Sequence, residues 1–371
     1  MWFYSFGPMS DETPQTPPAP EPSATPRPKR RPRYSGKNPR KFHEKYKELN
    51  PDRYADDIAK VVASGKTPAG THRPILVEEI LGVLAPKPGE MAVDCTLGFG
   101  GHAVRLLQRI APGGRLFGLD VDPIEQPRTE ARLRAAGYGP DVFQVRHMNF
   151  AGLPKLVAQE NLPGGVDIVL ADLGVSSMQI DNPERGFTYK TDGPLDLRLN
   201  PLRSPSAADL VAKLDAAKLA TMLRDNADEP RAADLAAAIV SARKSQPVTR
   251  TAQLADIIRN AFGSGLRSSA RELAEDTVRR VFQALRIAVN DEFGALDNLL
   301  RVLPACLQSG GRVAILTFHS GEDRRVKQAF QLGRDSGHYA AIAEEIIRPS
   351  AEERRENPRC SSAKLRWAIR T

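Results

Sequence analysis

The chain of 371 residues is poor in cysteine, with only Cys95, Cys306 and Cys360. An odd number at wide spacing makes neither a disulfide framework nor a zinc-ligand set, so reduced thiols and a cytoplasmic setting are expected. Aromatic residues make up 6% of the chain, and no apolar run approaches the roughly 18 residues of a membrane-spanning helix. The opening Met1-Trp2-Phe3-Tyr4-Ser5-Phe6 is apolar but too short for a signal peptide, and acids follow at Asp11 and Glu12. Acids are missing altogether from residues 27–41, which hold eight Lys or Arg, while residues 1–40 hold ten prolines. Such a composition cannot bury a core. Residues 1–70 are therefore expected to be a disordered, basic, Pro-rich tail, either an arm for nucleic acid or a solubilising extension. The net charge of +8 suits a polyanionic partner without requiring one.

What is present centres on Val93-Asp94-Cys95-Thr96-Leu97-Gly98-Phe99-Gly100-Gly101-His102. An apolar strand runs into a turn with three glycines in four positions, and Ala103 to Ile110 follows with apolar residues at helical spacing. Strand, glycine turn and helix bring backbone N–H groups close to a nucleotide-like ligand. A second strand ends at Asp120, 22 residues after Gly98, near the usual separation of about 20 for an acid that binds ribose hydroxyls. Gly98-x-Gly100-x-x-Ala103 fits the dinucleotide fingerprint, so a nicotinamide and a ligand-free turn both remain open here. Two details favour S-adenosylmethionine: Asp94, placed to accept from a methionine ammonium, and the Val121-Asp122-Pro123 that follows Asp120.

The order of elements predicts an α/β fold, a doubly wound and mostly parallel sheet of the Rossmann-like type. Strands are expected at Val142–Val145, Val166–Asp172 and Arg312–Phe318, and residues 361–370 read as an edge strand. Ligands of such sheets bind beyond the carboxyl ends of the strands, where Asp94, Asp120, Phe150 and Asp172 all fall. Between the fourth and fifth strands the pattern turns wholly helical. Residues 201–275 are expected to form a helical insertion that reads substrate, with residues 71–200 and 276–371 forming the cofactor-binding domain.

Several runs carry a resemblance: His72-Arg73-Pro74; Asp94 to His102; Asp120-Val121-Asp122-Pro123; Leu170 to Ser177 with Gln179; Glu184-Arg185-Gly186-Phe187; Asp192 to Arg198; Phe318 to Arg324; and Asn357-Pro358-Arg359. Together, from about residue 71 to the end, the chain resembles the bacterial 16S ribosomal RNA cytosine-N4 methyltransferases, the MraW/RsmH family. The resemblance implies methyl transfer from S-adenosylmethionine to the exocyclic amine of a cytosine in the decoding region. It implies 16S rRNA as partner, within the small subunit or a late assembly particle, and no membrane. It also implies cofactor contacts at Gly100, Gly101, His102, Asp120, Phe150, Asp172 and Gln179. A homodimer is compatible with the sequence, and nothing in it requires one.

Cytosine N4 is a poor nucleophile because its lone pair is delocalised into the ring. The site must hold N4 in line with the methyl and accept its protons. Amino-methyltransferases often carry an Asp/Asn/Ser-Pro-Pro-aromatic run at the end of the fourth strand, whereas this chain has Asp172-Leu173-Gly174-Val175. Asp172 or a following carbonyl is the candidate acceptor, although Asp172 could equally serve the cofactor alone. Phe187 and Tyr189 are candidates to stack on a flipped base, or are simple packing. His319, at the end of the fifth strand, is a candidate catalytic residue expected beside Asp172, with Ser320 capping the next helix and Asp323 completing a capping box. The competing functions are a methyltransferase acting on DNA or protein and a nicotinamide oxidoreductase. No second glycine turn supports the latter.

Overall fold

The computed structural model describes residues 74–203, 205–263 and 268–371, so the expected tail lies outside the described residues. The predicted alternation of strand and helix builds one sheet. Its strands are β1 (Met91–Asp94), β2 (Arg115–Asp120), β3 (Phe143–His147), β4 (Val166–Asp172), β5 (Leu307–Thr317), β6 (Tyr339–Ile342) and β7 (Lys364–Arg370), in the order β3-β2-β1-β4-β5-β7-β6. β1 to β5 pair in parallel, while β7 runs antiparallel to both β5 and β6. This is a doubly wound, Rossmann-like sheet with one reversed strand.

Both faces of the sheet are covered, which is why its central strands read as unbroken apolar runs. Alternate residues face opposite ways. Ala92, Ile168, Leu170, Ala314 and Leu316 pack against α1 (Val77–Leu84) and α2 (Gly101–Ile110). Val93, Val169, Ala171, Val313 and Ile315 pack against α4 (Leu153–Gln159), α11 (Glu292–Cys306) and α12 (Ser320–Asp335). Helix α3 (Glu125–Ala135) adds Leu133 to the first of these cores.

The helical segment has a core of its own. It is built from α6 (Ala207–Lys213), α7 (Ala216–Ala227), α8 (Ala232–Ser245), α9 (Thr251–Asn260) and α10 (Ser268–Asn290). The shared apolar surface does not stop at residue 275: Val278, Val281, Phe282 and Leu285 of α10 are buried in it. The short α5 (Ser177–Asp181) lies between β4 and this segment, and α13 (Ala351–Glu356) precedes β7.

Three local expectations are corrected. The last strand is not at the edge of the sheet: β7 is inserted between β5 and β6, and the four-residue β6 forms that border. Ser320 does not cap α12. His319 is the N-cap residue, its Nδ1 accepting from the N–H of Glu322 at 3.4 Å, while Ser320 donates to Asp228 at 3.1 Å. Asp323 completes no capping box. It takes Arg366 at 2.7 Å and Lys364 at 2.9 Å, tying α12 to β7.

Candidate active site

A cleft of about 440 Å³ opens at the carboxyl ends of β1, β2, β4 and β5. One side is the glycine turn. Gly98 and Gly100 take φ of +46° and +74°, a region closed to most side chains. A Cβ on Gly101 would come within 2.7 Å of Pro74, so the absence of a side chain there lets the chain entry pack on the start of α2. The turn is held by Asp120, whose Oδ2 accepts from Gly98 N–H at 2.8 Å and Oδ1 from Asp122 N–H at 2.8 Å. Burial pushes the Asp120 carboxyl up, against the pull of those two N–H groups.

Asp94 and Asp172 end neighbouring strands and are joined through Thr96. Its N–H donates to Asp94 Oδ1 at 3.0 Å, and its hydroxyl accepts from the Asp172 N–H at 2.6 Å. Burial pushes the Asp94 carboxyl up to about 6, while the nearby His102 pulls the other way and Asp172 and Asp120 add to the rise. His102, on the first turn of α2, brings Nε2 to 3.6 Å from Asp172 Oδ2. That Nε2 and the other Asp172 oxygen, Oδ1, are buried with no hydrogen-bond partner among the described residues. Groups of this kind normally meet a partner, and these two line the cleft.

Gln179 lines the cleft too, but its amide is engaged elsewhere. Oε1 accepts from Ser176 N–H at 2.8 Å, and Nε2 donates to Asp122 at 2.8 Å. Asp122 is fully buried and also receives Arg185 at 2.8 Å and the N–H groups of Ile124 and Glu125. Phe150 begins a short 3-10 turn capped by Asn149 and forms part of the cleft wall.

The opposite wall comes from three elements that the sequence does not place together: Arg286 and Asn290 at the end of α10, Glu292, Ala295 and Leu296 at the start of α11, and Phe318 and Glu322 after β5. Arg286 and Glu292 form a two-point ion pair at 2.7 and 2.8 Å. Glu322 is buried, and its Oε2 accepts from Phe318 N–H at 2.8 Å. Burial alone would raise its carboxyl, but His319 and Arg286 together outweigh it and hold Glu322 below the usual range.

His319 stands behind this wall rather than on the cleft surface. Its Nε2 is 3.1 Å from Glu322 Oε1, without the alignment of a hydrogen bond, and its ring packs 5.8 Å from that of Phe293. Phe187 and Tyr189 do not line the cleft. Phe187 is buried in the helical core, and Tyr189 packs 5.2 Å from Phe282. Sequence reasoning missed Arg286, Asn290, Glu292 and Glu322. The available signal was a set of polar residues closing a strongly apolar helix face.

With that geometry in place, comparison with known proteins is decisive. Residues 69–371 match the model of the MraW methylase family. The chain belongs to that family. It is 50% identical over 342 residues to ribosomal RNA small subunit methyltransferase H 2 of Alkaliphilus metalliredigens, covering 92% of this chain and 97% of that protein. It is 47% identical over 343 residues to ribosomal RNA small subunit methyltransferase H 1 of Lachnoclostridium phytofermentans, covering 92% and 93%. At 40% identity it matches ribosomal RNA small subunit methyltransferase H of Heliobacterium modesticaldum over 312 residues, 80% of this chain and 97% of that protein.

This methylase uses S-adenosylmethionine, and the residues present fit it. Asp94 is a buried acceptor suited to an ammonium, and Asp120 keeps spare lone pairs for ribose hydroxyls. The unpartnered atoms of His102 and Asp172 belong to residues that line the same cleft.

Proposed function

We propose that the protein transfers a methyl group to the exocyclic N4 amine of a cytosine in the decoding region of 16S rRNA, presented within the small subunit or a late assembly particle. The observation that carries this reading is Asp172. Its Oδ1 is buried at the end of β4 and aimed into the cleft without a partner among the described residues. The named activity of the relatives on small-subunit rRNA supports it.

S-adenosylmethionine supplies a methyl carried on a sulfonium. The chain's own residues do the rest. Asp94, Asp120 and the glycine turn hold and orient the donor. Asp172 accepts a hydrogen bond from the N4 amine, which draws the lone pair out of the ring and turns it toward the methyl. The Thr96 bridge fixes the Asp172 backbone, and His102 keeps a polar atom against its second oxygen. No covalent intermediate on the protein is needed, and the nitrogen proton leaves to Asp172 or to water. No described helix is long and apolar enough to cross a membrane.

The test is mass spectrometry of small-subunit RNA from cells lacking the protein, with wild type or Asp172→Asn restored. Loss of one N4-methylated cytosine, recovered only with wild type, is expected. An unchanged modification profile, or equal transfer to DNA by the purified protein, overturns the reading.

A further inference from the structure

We infer that Arg286 reads the O2 and N3 edge of the target base and thereby selects cytosine over uracil. This inference rests on the cytosine reading of the same cleft. Arg286 lies near the end of α10, four residues before Asn290, with its side chain 16% exposed. Nε and Nη2 are committed to the two oxygens of Glu292 at 2.7 and 2.8 Å. A two-point pair of this kind fixes the plane of the guanidinium as well as its position. Glu292 is itself fixed, because α11 begins immediately after Asp291, a left-handed residue at φ +50° that breaks the chain direction between the two helices.

What remains of the fork faces the cleft. Nη1 makes no hydrogen bond to any described residue and is not sealed among the buried unpaired atoms, and Arg286 lines the cleft. A guanidinium held by one edge therefore offers N–H donors from its other edge into the pocket. The other arginine that lines the cleft, Arg359, is engaged with Asp181 at 2.6 Å. Glu322 lies close enough to Arg286 for each to stabilise the other's charge, and it stays ionised. Asn290 is spent on structure, with Nδ2 on the Leu197 carbonyl at 2.8 Å and Oδ1 on the Leu199 N–H at 2.7 Å. Within this wall Arg286 holds the free donors.

The chemistry of the bases then decides what fits. Cytosine presents two acceptors in a row, O2 and N3, followed by the N4 donor. Two parallel guanidinium N–H groups match the acceptors, and the Asp172 carboxylate matches the amine. β4 and β5 are adjacent and parallel, with Asp172 opposite Leu316. Asp172 and the residues just after β5 therefore border the same end of the cleft. Uracil would turn an N3–H against the Arg286 donors and a carbonyl against Asp172. A site whose polar groups are left facing like partners rejects the wrong ligand strongly.

The test needs no folded variant to begin. Wild-type protein saturated with S-adenosylhomocysteine is titrated with cytidine, uridine and 3-deazacytidine 5′-monophosphates, followed by NMR. The deaza ring keeps O2 and N4 but replaces N3 with C–H. Cytidine monophosphate should bind at least tenfold more tightly than either of the other two. In Arg286→Lys the cytidine-to-deazacytidine ratio should collapse to within about twofold, with S-adenosylhomocysteine affinity retained as the control for folding. Should Arg286→Lys fail that control, Glu292→Gln, which frees the fork while leaving its charge, should shrink the same ratio. Equal wild-type binding of cytidine and 3-deazacytidine monophosphates, a ratio that survives in the variants, or no wild-type binding of cytidine monophosphate at all overturns the inference. Its failure is distinct from that of the parent reading, which is overturned by an unchanged modification profile in cells lacking the protein or by equal transfer to DNA.

Discussion

The two walls of the cleft are built on opposite plans. The cofactor wall is nearly continuous in sequence: residues 94–102 supply most of it, and Asp120, Phe150 and Asp172 arrive at successive strand ends. Its polar groups are held by backbone N–H donors, and two of its atoms wait for a partner. The acceptor wall is drawn from α10, α11 and the start of α12, and its opposite charges meet in the Arg286–Glu292 ion pair. On the proposed reading, one wall receives a cation and hydroxyls. The other is a preformed edge that can discriminate. A local motif is enough for the first, whereas the second exists only after the helical segment has folded against the sheet.

If the walls do separate work, variants should separate binding from transfer. The largest effect should come from the joint between them. Arg185→Met leaves the buried Asp122 carboxylate without its cation, a change that should remove about 3–5 kcal/mol of stability. Chemical denaturation would measure it, and a loss below about 1 kcal/mol would mean that the joint bears little. Asp172→Asn keeps the shape of the side chain but weakens its acceptor. We expect turnover on small-subunit particles to fall at least 100-fold, about 2.7 kcal/mol on the barrier, with S-adenosylmethionine affinity changed less than fivefold. An equal loss in both would make Asp172 purely a cofactor ligand. Asp120→Ala should do the reverse, weakening S-adenosylmethionine by more than tenfold in calorimetry. It removes charge-assisted bonds worth roughly 1.5–3 kcal/mol each and frees the Gly98 and Asp122 N–H groups.

Acid should act on the cofactor wall first. Burial pushes the Asp94 carboxyl up to about 6, and an ammonium is held only by its ionised form. Bound cation favours the carboxylate, so binding near that pH releases protons. Affinity should be flat above about pH 7 and fall toward tenfold per unit below 6. An affinity flat down to pH 5 would remove Asp94 from the ammonium site. A smaller effect is expected of His319→Ala: loss of a helix cap worth about 1 kcal/mol and a slackened Glu322, with S-adenosylmethionine affinity unchanged. Removing residues 1–66 should leave that affinity unaltered within twofold, because the family match begins at residue 69.

The same contrast explains what the sequence disclosed. Strands β1 to β5 announced themselves because both faces are buried, and the glycine turn because its spacing is local. The four-residue β6 was illegible: Tyr339-Ala340-Ala341-Ile342 is too short to show a period. The placement of β7 inside the sheet depends on pairing with β5 and β6, which no single stretch encodes. Helix α10 runs from Ser268 to Asn290, straight across the boundary expected at residue 275, because its first turns are polar and its later ones join the helical core and carry charges of the acceptor wall. Arg286 could be read as a solvated helix charge until Glu292 and the cleft were seen around it. His319 was expected on the rim beside Asp172, but a strand end alone does not say which way a side chain turns, and its ring lies against Glu322 and Phe293.

The buried Asp122–Arg185 pair carries a lesson for engineering. Arg185 also donates to the carbonyls of Arg198 and Leu199, so one guanidinium rivets the segment leading into the helical insertion onto the loop that follows β2. The other end of the insertion is α10, which delivers Arg286. A graft of residues 201–275 onto another methyltransferase sheet would leave the rivet and the reading arginine behind. A transplant that carries specificity has to begin before Arg185 and end after Glu292, and the recipient must already own an acid at the place of Asp122.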